Sequence, residues 1–273
     1  MSAEKAKFKR KAVRSCGFCA HKFDESKAQC PSCGQWNIPS AVNDSTDQTI
    51  LLSDVSEKPI NRIVTGPWDR CFGGGIVTVS VTLLGGVPGA GKSTMSLQMA
   101  DQIGLKTKRE VIYIGAEESV EEIKYRAMRL DLKAMNLIRL HPMGSSADLG
   151  EIIKSRKPSA VILDSLPGLV SDPDVAVELC KRFKEYSVEY QFPTIIIDHV
   201  TKDNDFAGFM QLQHAVDTTL ALNRDDDTGV RYLTTIKNRF GPANISIVMT
   251  MTEKGLFLGN DDEDEDEEDE DEE

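Results

Sequence analysis

The segment Gly86-Val87-Pro88-Gly89-Ala90-Gly91-Lys92-Ser93-Thr94 has the spacing G-x-x-x-x-G-K-S/T. That spacing wraps several backbone N–H groups around one set of phosphate oxygens, and the helix that follows adds its positive end. Gly89 and Gly91 let the chain wrap closely, Lys92 is placed to reach the β- and γ-phosphates, and the Ser93 hydroxyl would complete the shell of a Mg2+ ion. The ligand this chemistry serves is ATP with Mg2+. Asp164 ends the run Val161-Ile162-Leu163 and so emerges at the carboxyl edge of a parallel sheet, where ligands of α/β folds bind. Two roles fit it there: a water-mediated partner of Mg2+, or a carboxylate capping the loop at Ser165. Glu117 and Glu118 follow the apolar run 111–115 at the same edge. A carboxylate in that place can accept the proton of the water that attacks the γ-phosphate, or can simply suit a helix N-terminus. Glu117 is the favoured base and Glu118 the helix acid.

Two further groups carry chemistry. Cys16-x-x-Cys19 and Cys30-x-x-Cys33 are two tight pairs ten residues apart, the pattern of a tetrahedral four-thiolate Zn2+ site. So short a segment cannot bury a core unaided, and the metal would supply its folding energy, on the order of 10–16 kcal/mol. His21 is a possible substitute ligand, while Cys71 and Cys180 read as ordinary thiols. The cluster Lys237-Asn238-Arg239-Phe240-Gly241 ends a strand. Its cations either reach phosphates, of DNA or of a neighbour's nucleotide, or form a solvated turn.

These groups need elements to hold them. Short runs rich in Val and Ile at 77–85, 111–115, 160–164 and 194–198 are what strands buried on both faces of a parallel sheet require. Between them, Val120, Ile123, Ala127 and Leu130 recur at helical spacing behind the capping box Ser119/Glu122. Asp172-Pro173 opens a second helix, with Val175, Leu179, Phe183 and Tyr186 as its buried stripe. Strands at 217–222, 230–237 and 245–251 follow without long helices between them. The expected fold is an open α/β sheet with an antiparallel extension. The organisation reads as a basic arm (1–14), a cysteine finger (15–38), a polar linker (39–59), a core (60–258) and an acidic tail (259–273).

Composition limits the function classes. The chain of 273 residues has a net charge of −12, yet its last thirteen residues are all acidic, and without them 32 basic side chains face 31 acidic ones. The acidity belongs to the tail, so binding of a polyanion by the body is not excluded. Thirteen consecutive carboxylates are expected to stay unpacked. They act as a solubility tail, as a nucleic-acid mimic, or as a dock for a replication or recombination partner. No apolar run approaches the roughly 18 residues of a membrane span, and the basic start lacks a secretory core. Reduced thiols in metal-like pairs point to the cytoplasm.

Taken together, these motifs resemble the bacterial RadA (Sms) family of recombination ATPases, over about residues 14–258. The finger's ending Cys30-Pro31-Ser32-Cys33-Gly34-Gln35-Trp36-Asn37 resembles that family's zinc finger. Thr65-Gly66, Trp68-Asp69 and Gly73-Gly74-Gly75 resemble its entry segment. Glu117-Glu118-Ser119, Arg126-Ala127, Arg129-Leu130, His199-Val200-Thr201-Lys202 and His214-Ala215-Val216-Asp217 match further blocks, and Lys237 to Gly241 matches its hallmark pentapeptide. The resemblance implies a RecA-like P-loop core that assembles as a homo-oligomeric, hexameric ring on single-stranded or branched DNA and drives branch migration. It implies His199 as γ-phosphate sensor, and functional roles for Lys237 and Arg239. It also implies a DNA-facing loop in which Lys202, Phe206, Phe209 and Met210 contact bases, unless that loop folds on its own apolar groups. Family members carry a further domain resembling the substrate-binding part of Lon; here the acidic run stands in its place. Asp198 also departs from the small residue expected before the histidine. Three readings remain: a DNA-stimulated ring translocase or branch-migration helicase, a mediator that uses ATP for loading and release, and a zinc-dependent adaptor switched by ATP.

Overall fold

The structure is a computed structural model and describes residues 13–15, 21–24, 29–33, 51–56, 59–142, 149–170, 172–199 and 206–259. The chain divides into two units, Met1–Lys58 and Pro59–Glu273. In the first, β1 (Val13–Ser15) pairs antiparallel with β2 (Lys22–Asp24). Phe23 and Cys30 are buried together, and a turn at residues 31–33 carries the exposed Cys33.

In the second unit, β3 (Arg62–Ile63), α1 (Asp69–Phe72) and β4 (Ile76–Val77) lead into the main sheet. Its buried centre is made of β5 (Val81–Gly85), β6 (Val111–Gly115), β8 (Ala160–Asp164) and β9 (Thr194–Ile197), in which every residue is buried. Two-faced burial of this kind follows from their predominantly aliphatic sequences. With β7 (Ile138–Pro142), β10 (Thr218–Arg224), β11 (Arg231–Asn238), β12 (Ser246–Thr252) and β13 (Gly255–Leu258), the sheet order is β13-β12-β11-β10-β5-β9-β8-β6-β7. Strands from β10 to β7 are parallel neighbours, and β10 to β13 form the antiparallel extension.

Side chains alternate between two cores. Leu84, Tyr113, Ile162 and Ile195 lie in the cluster that includes Met95, Met99 and Ile103 of α2 (Lys92–Thr107). Leu83, Ile112, Val161 and Ile196 lie in the cluster that includes Ala176, Cys180 and Phe183 of α5 (Pro173–Tyr190). Helix α3 (Val120–Arg129) begins at the Ser119/Glu122 capping box, and the Asp172 carboxylate accepts from the N–H groups of Asp174 and Val175 to start α5. Among the described residues no helix is long and apolar enough to cross a membrane.

Several expectations are corrected. The run 77–85 is not one strand: the Ser80 hydroxyl and N–H both bond the Val77 carbonyl, so the chain turns, and β4 pairs with β3 instead. A hydroxyl that captures a nearby carbonyl in this way competes with the ladder. Strands β7 and β13 and helix α4 (Leu149–Arg156) went unread, because the edge strand Ile-Arg-Leu-His-Pro is half exposed and shows no apolar run. The segment from Phe206 is not a loop but helix α6 (Phe206–Ala215). A crossover between the parallel strands β9 and β10 needs an element that satisfies its own backbone, and the sequence there holds no proline to prevent it.

Candidate nucleotide site

The P-loop leaves the end of β5, the central strand, and closes on α2. Gly86 has φ 147°, and a Cβ there would meet the Leu222 carbonyl oxygen at 2.1 Å, so the loop turns flush against β10. Gly91 has φ 109°, and a Cβ there would strike Met251 Cε at 2.5 Å. Lys92 is buried, and its ammonium donates to the carbonyls of Gly86 (2.7 Å) and Val87 (3.0 Å). Burial lowers its pKa below the usual lysine value, against the opposing pull of Asp164, Asp198 and Glu117. The lysine therefore sits in a field of three carboxylates, held by loop oxygens.

Opposite the loop, β8 delivers Asp164. Ser93 Oγ donates to its Oδ1 at 3.0 Å, and the Tyr113 hydroxyl donates to its Oδ2. Tyr113 is fully buried on β6 and also shares a hydrogen bond with Ser96 Oγ at 3.0 Å. Burial pushes the Asp164 carboxyl above the ordinary carboxylate range, moderated by the bonds from Tyr113 and Ser93. Burial, together with the Asp164 charge, raises Tyr113 well above its ordinary value, which keeps it a donor. Sequence reasoning missed Tyr113; the signal was a polar-tipped aromatic inside the otherwise aliphatic strand Val-Ile-Tyr-Ile-Gly.

The two glutamates part company. Glu117 Oε1 accepts from Ser165 Oγ and lies 3.4 Å from His199 Nε2. Glu118 is ion-paired with Arg126 of α3. Gly168 keeps the loop after β8 tight against Glu117, since a Cβ there would fall 3.0 Å from Glu117 Cγ and 2.8 Å from Ala116 Cβ. His199 Nδ1 is buried without a partner among the described residues. The buried Asp198, raised by desolvation, accepts the His199 N–H at 2.9 Å. Lys92, Ser93, Asp164, Glu117 and His199 thus converge on one sheet edge.

Lys237, Asn238 and Arg239 do not join them. β10 runs parallel to β5, and β11 returns antiparallel, so the end of β11 lies at the edge where β5 begins, roughly 15 Å from the P-loop by strand rise. There Lys237 Nζ donates to the carbonyls of Gln213 (2.5 Å) and Val216 (2.7 Å) at the end of α6. Asp217, buried, accepts from Val81 N (2.9 Å) and Lys184 Nζ (2.7 Å), with Arg239 Nη1 at 3.4 Å. Asn238 Oδ1 accepts the Phe240 N–H at 2.9 Å, and a Cβ added at Gly241 would come within 3.0 Å of its amide nitrogen. Lys184 was not singled out from sequence, and Asp217 only as the last residue of the block His214-Ala215-Val216-Asp217, without a role.

Lys202 lies outside the described residues; Phe206 and Phe209 stand in the first turn of α6, not in a loop. Of the four proposed zinc ligands, Cys30 and Cys33 are described and Cys16 and Cys19 lie outside the described residues. Among the described residues no group of three or more His, Cys, Asp or Glu is placed to hold a metal.

Comparison with known proteins bears on the chain and its fold. The KaiC ATPase family model matches residues 63–145. The DNA repair protein RadA of Chlamydia pneumoniae is 34% identical over 268 residues, covering 91% of this chain and 59% of that protein. RadA of Aquifex aeolicus is 32% identical (91% and 60% covered), and RadA of Bacillus subtilis 34% (94% and 60%). The chain therefore spans about three-fifths of the length of the curated relatives it matches. A KaiC-like protein from Pyrococcus horikoshii superposes with a TM-score of 0.63 over 74% of this chain and 100% of its own, at 16% identity, which speaks to fold alone. Across the nine-tenths of its length that aligns, the chain is similar to the bacterial DNA repair protein RadA, and its larger unit has a KaiC-like, RecA-type α/β fold.

Proposed function

We propose that the chain is an ATP-hydrolysing enzyme of DNA recombination and repair, acting as a homo-oligomeric ring on single-stranded or branched DNA. The observation that carries this reading is the convergence of Lys92, Ser93, Asp164, Glu117 and His199 at the P-loop edge. The DNA context rests on the names of the relatives, which are DNA repair proteins.

In this mechanism the P-loop N–H groups of 86–94 and Lys92 hold the β- and γ-phosphates. The hard oxygens of Ser93 Oγ and Asp164 Oδ1, already in contact at 3.0 Å, would hold Mg2+, Ser93 as a ligand and Asp164 as its water-mediated partner. When bound, that ion neutralises charge developing on the β- and γ-phosphate oxygens. Glu117, oriented by Ser165 and His199, takes the proton from the attacking water as ADP leaves. His199 senses the γ-phosphate, because its ring bridges from β9 to the base. Lys237 and Arg239, on the far edge, serve a neighbouring subunit's nucleotide or DNA, with Asn238 holding their turn. Lys202, Phe206 and Phe209 serve the DNA-facing side. Cys16, Cys19, Cys30 and Cys33 hold Zn2+; the turn at 31–33 with buried Cys30 fits one knuckle of such a site.

The test is the ATPase rate with and without single-stranded DNA, beside the assembled mass with a non-hydrolysable ATP analogue. Stimulation by DNA and an analogue-dependent ring are expected. A rate indifferent to DNA, with no ATP-dependent DNA complex, would overturn the DNA assignment.

A further inference from the structure

Arg231, at the start of β11, stands directly across from Arg224, at the end of β10. Both share the sheet face that packs on α2. Leu220 and Leu222 precede Arg224 by even steps and Leu233 follows Arg231 by two, and all three leucines belong to that core. The two cations therefore stand at the P-loop edge and on the P-loop side of the sheet. Arg231 Nε donates to the Ala90 carbonyl at 3.0 Å, and its Nη1 to the Gly229 carbonyl at 2.9 Å. Those acceptors are neutral, so they leave its charge uncancelled. Like charges directly opposed on an antiparallel pair are unfavourable. Burial, and then Arg224, pull Arg231 below the usual arginine value. The arrangement gains its balance from an anion.

The geometry of the loop says which one. Asp164, Glu117 and His199 come from the β8, β6 and β9 side, which assigns the γ-phosphate to that side. Arg231 approaches from the opposite side, through β10 and β11. The part of a nucleotide farthest from the γ-phosphate is its α-phosphate and nucleoside. A planar trans peptide also points its C=O and N–H in opposite directions. With the Ala90 oxygen bonded to Arg231, the orientation of the Ala90–Gly91 peptide, and so of the Gly91 N–H, is fixed. We infer that Arg224 and Arg231 form a cationic clamp on the α-phosphate end of the bound nucleotide, and that Arg231 also positions the Ala90–Gly91 peptide. This rests on the ATP-site reading above.

The experiment is calorimetric titration of Mg2+ and ADP into the full chain and its variants at two salt concentrations. R224Q removes one charge from an exposed side chain, R231Q keeps an amide donor for the Ala90 oxygen while removing the charge, and R231K keeps the charge. R224Q and R231Q should each weaken ADP about threefold to tenfold, with a smaller loss at high salt, and R231K should recover most of it. R231A, which loses both donor and charge, should weaken binding further. If R224Q and R231Q both bind ADP within about twofold of wild type, the clamp is overturned, even when R231A binds poorly; Arg231 would then be a structural tether only. If folded wild-type protein binds neither ADP nor ATP, the ATP-site reading itself fails, and that result is distinct from the first.

Discussion

Replacing Gly86 by alanine sets two costs against each other that can be read separately. A Cβ at Gly86 would lie 2.1 Å from the Leu222 carbonyl oxygen and 3.0 Å from its carbon, where contacts below 3.0 Å essentially do not occur. The oxygen must therefore retreat by about 0.9 Å, yet it belongs to β10, laddered to β5 on one side and β11 on the other. Overpacking of this kind costs about 1–3 kcal/mol, and a non-glycine residue at φ 147° costs about 1–3 kcal/mol more. Gly86→Ala should thus lose about 4 kcal/mol. Gly89 supplies the control: its φ is 79°, but a Cβ there meets nothing within 4 Å, so Gly89→Ala should lose only about 1–2 kcal/mol of backbone strain. With a urea m-value of about 2–3 kcal/mol/M, the two midpoints should differ by roughly 1 M. The assay is urea unfolding followed by circular dichroism and repeated with saturating ADP. Equal midpoints for the two variants would refute the claim that contact with β10, and not backbone freedom alone, demands glycine at 86.

Three further outcomes are expected. Glu117→Gln should bind ATP normally and lose turnover by about 10²–10⁴-fold, whereas Glu118→Gln, whose partner is Arg126, should retain it; the reverse pattern in a steady-state phosphate-release assay would reassign the base. Asp217→Ala strands Lys184 and the Val81 N–H, and should cost about 2–3 kcal/mol, less than the roughly 3–5 kcal/mol of a fully buried pair because Lys184 is a third exposed; a loss below about 0.5 kcal/mol in urea unfolding would count against the network. Lys237→Ala protein mixed into wild type should depress ATPase activity more than dilution does, and a strictly linear decline would sink the shared-site reading.

The centre of the fold was legible because its strands are buried on both faces and must therefore be mostly apolar, as in 111–115 and 160–164, where only Tyr113 and Asp164 interrupt the run. The P-loop was legible because phosphate chemistry dictates its glycines and lysine by spacing alone. Edge elements were not, since β7 needs no apolar run and β13 is four residues long. The break at Ser80 depends on one hydroxyl capturing one carbonyl, which the alternation of 77–85 conceals. Within the site, the carboxylates were legible from their place after strands, but the groups that set their electrostatics were not. Tyr113 is two residues before the end of β6, Ser165 and Gly168 lie on the loop after β8, and only the fold brings them to Asp164 and Glu117. Arg224 and Arg231 are seven residues apart in the chain and become neighbours only through the hairpin register.

The grip of Lys237 on α6 has a mechanical consequence. An ammonium has three donors, and two of these are spent on the carbonyls of Gln213 and Val216, where the helix dipole is negative. A phosphate can engage the third donor and leave the grip intact, but one that draws the whole ammonium over takes it from those oxygens and frees the helix end. Helix α6 is ten residues, about 15 Å, and in sequence it follows β9, which ends at Ile197 two residues before His199. The helix is a strut clamped at one end by a charge that a ligand can compete for, and its tension can be read as hydrogen-exchange protection of the amides near 213–216. Lys237→Ala should lower that protection while leaving the amides of β5 as slow as before.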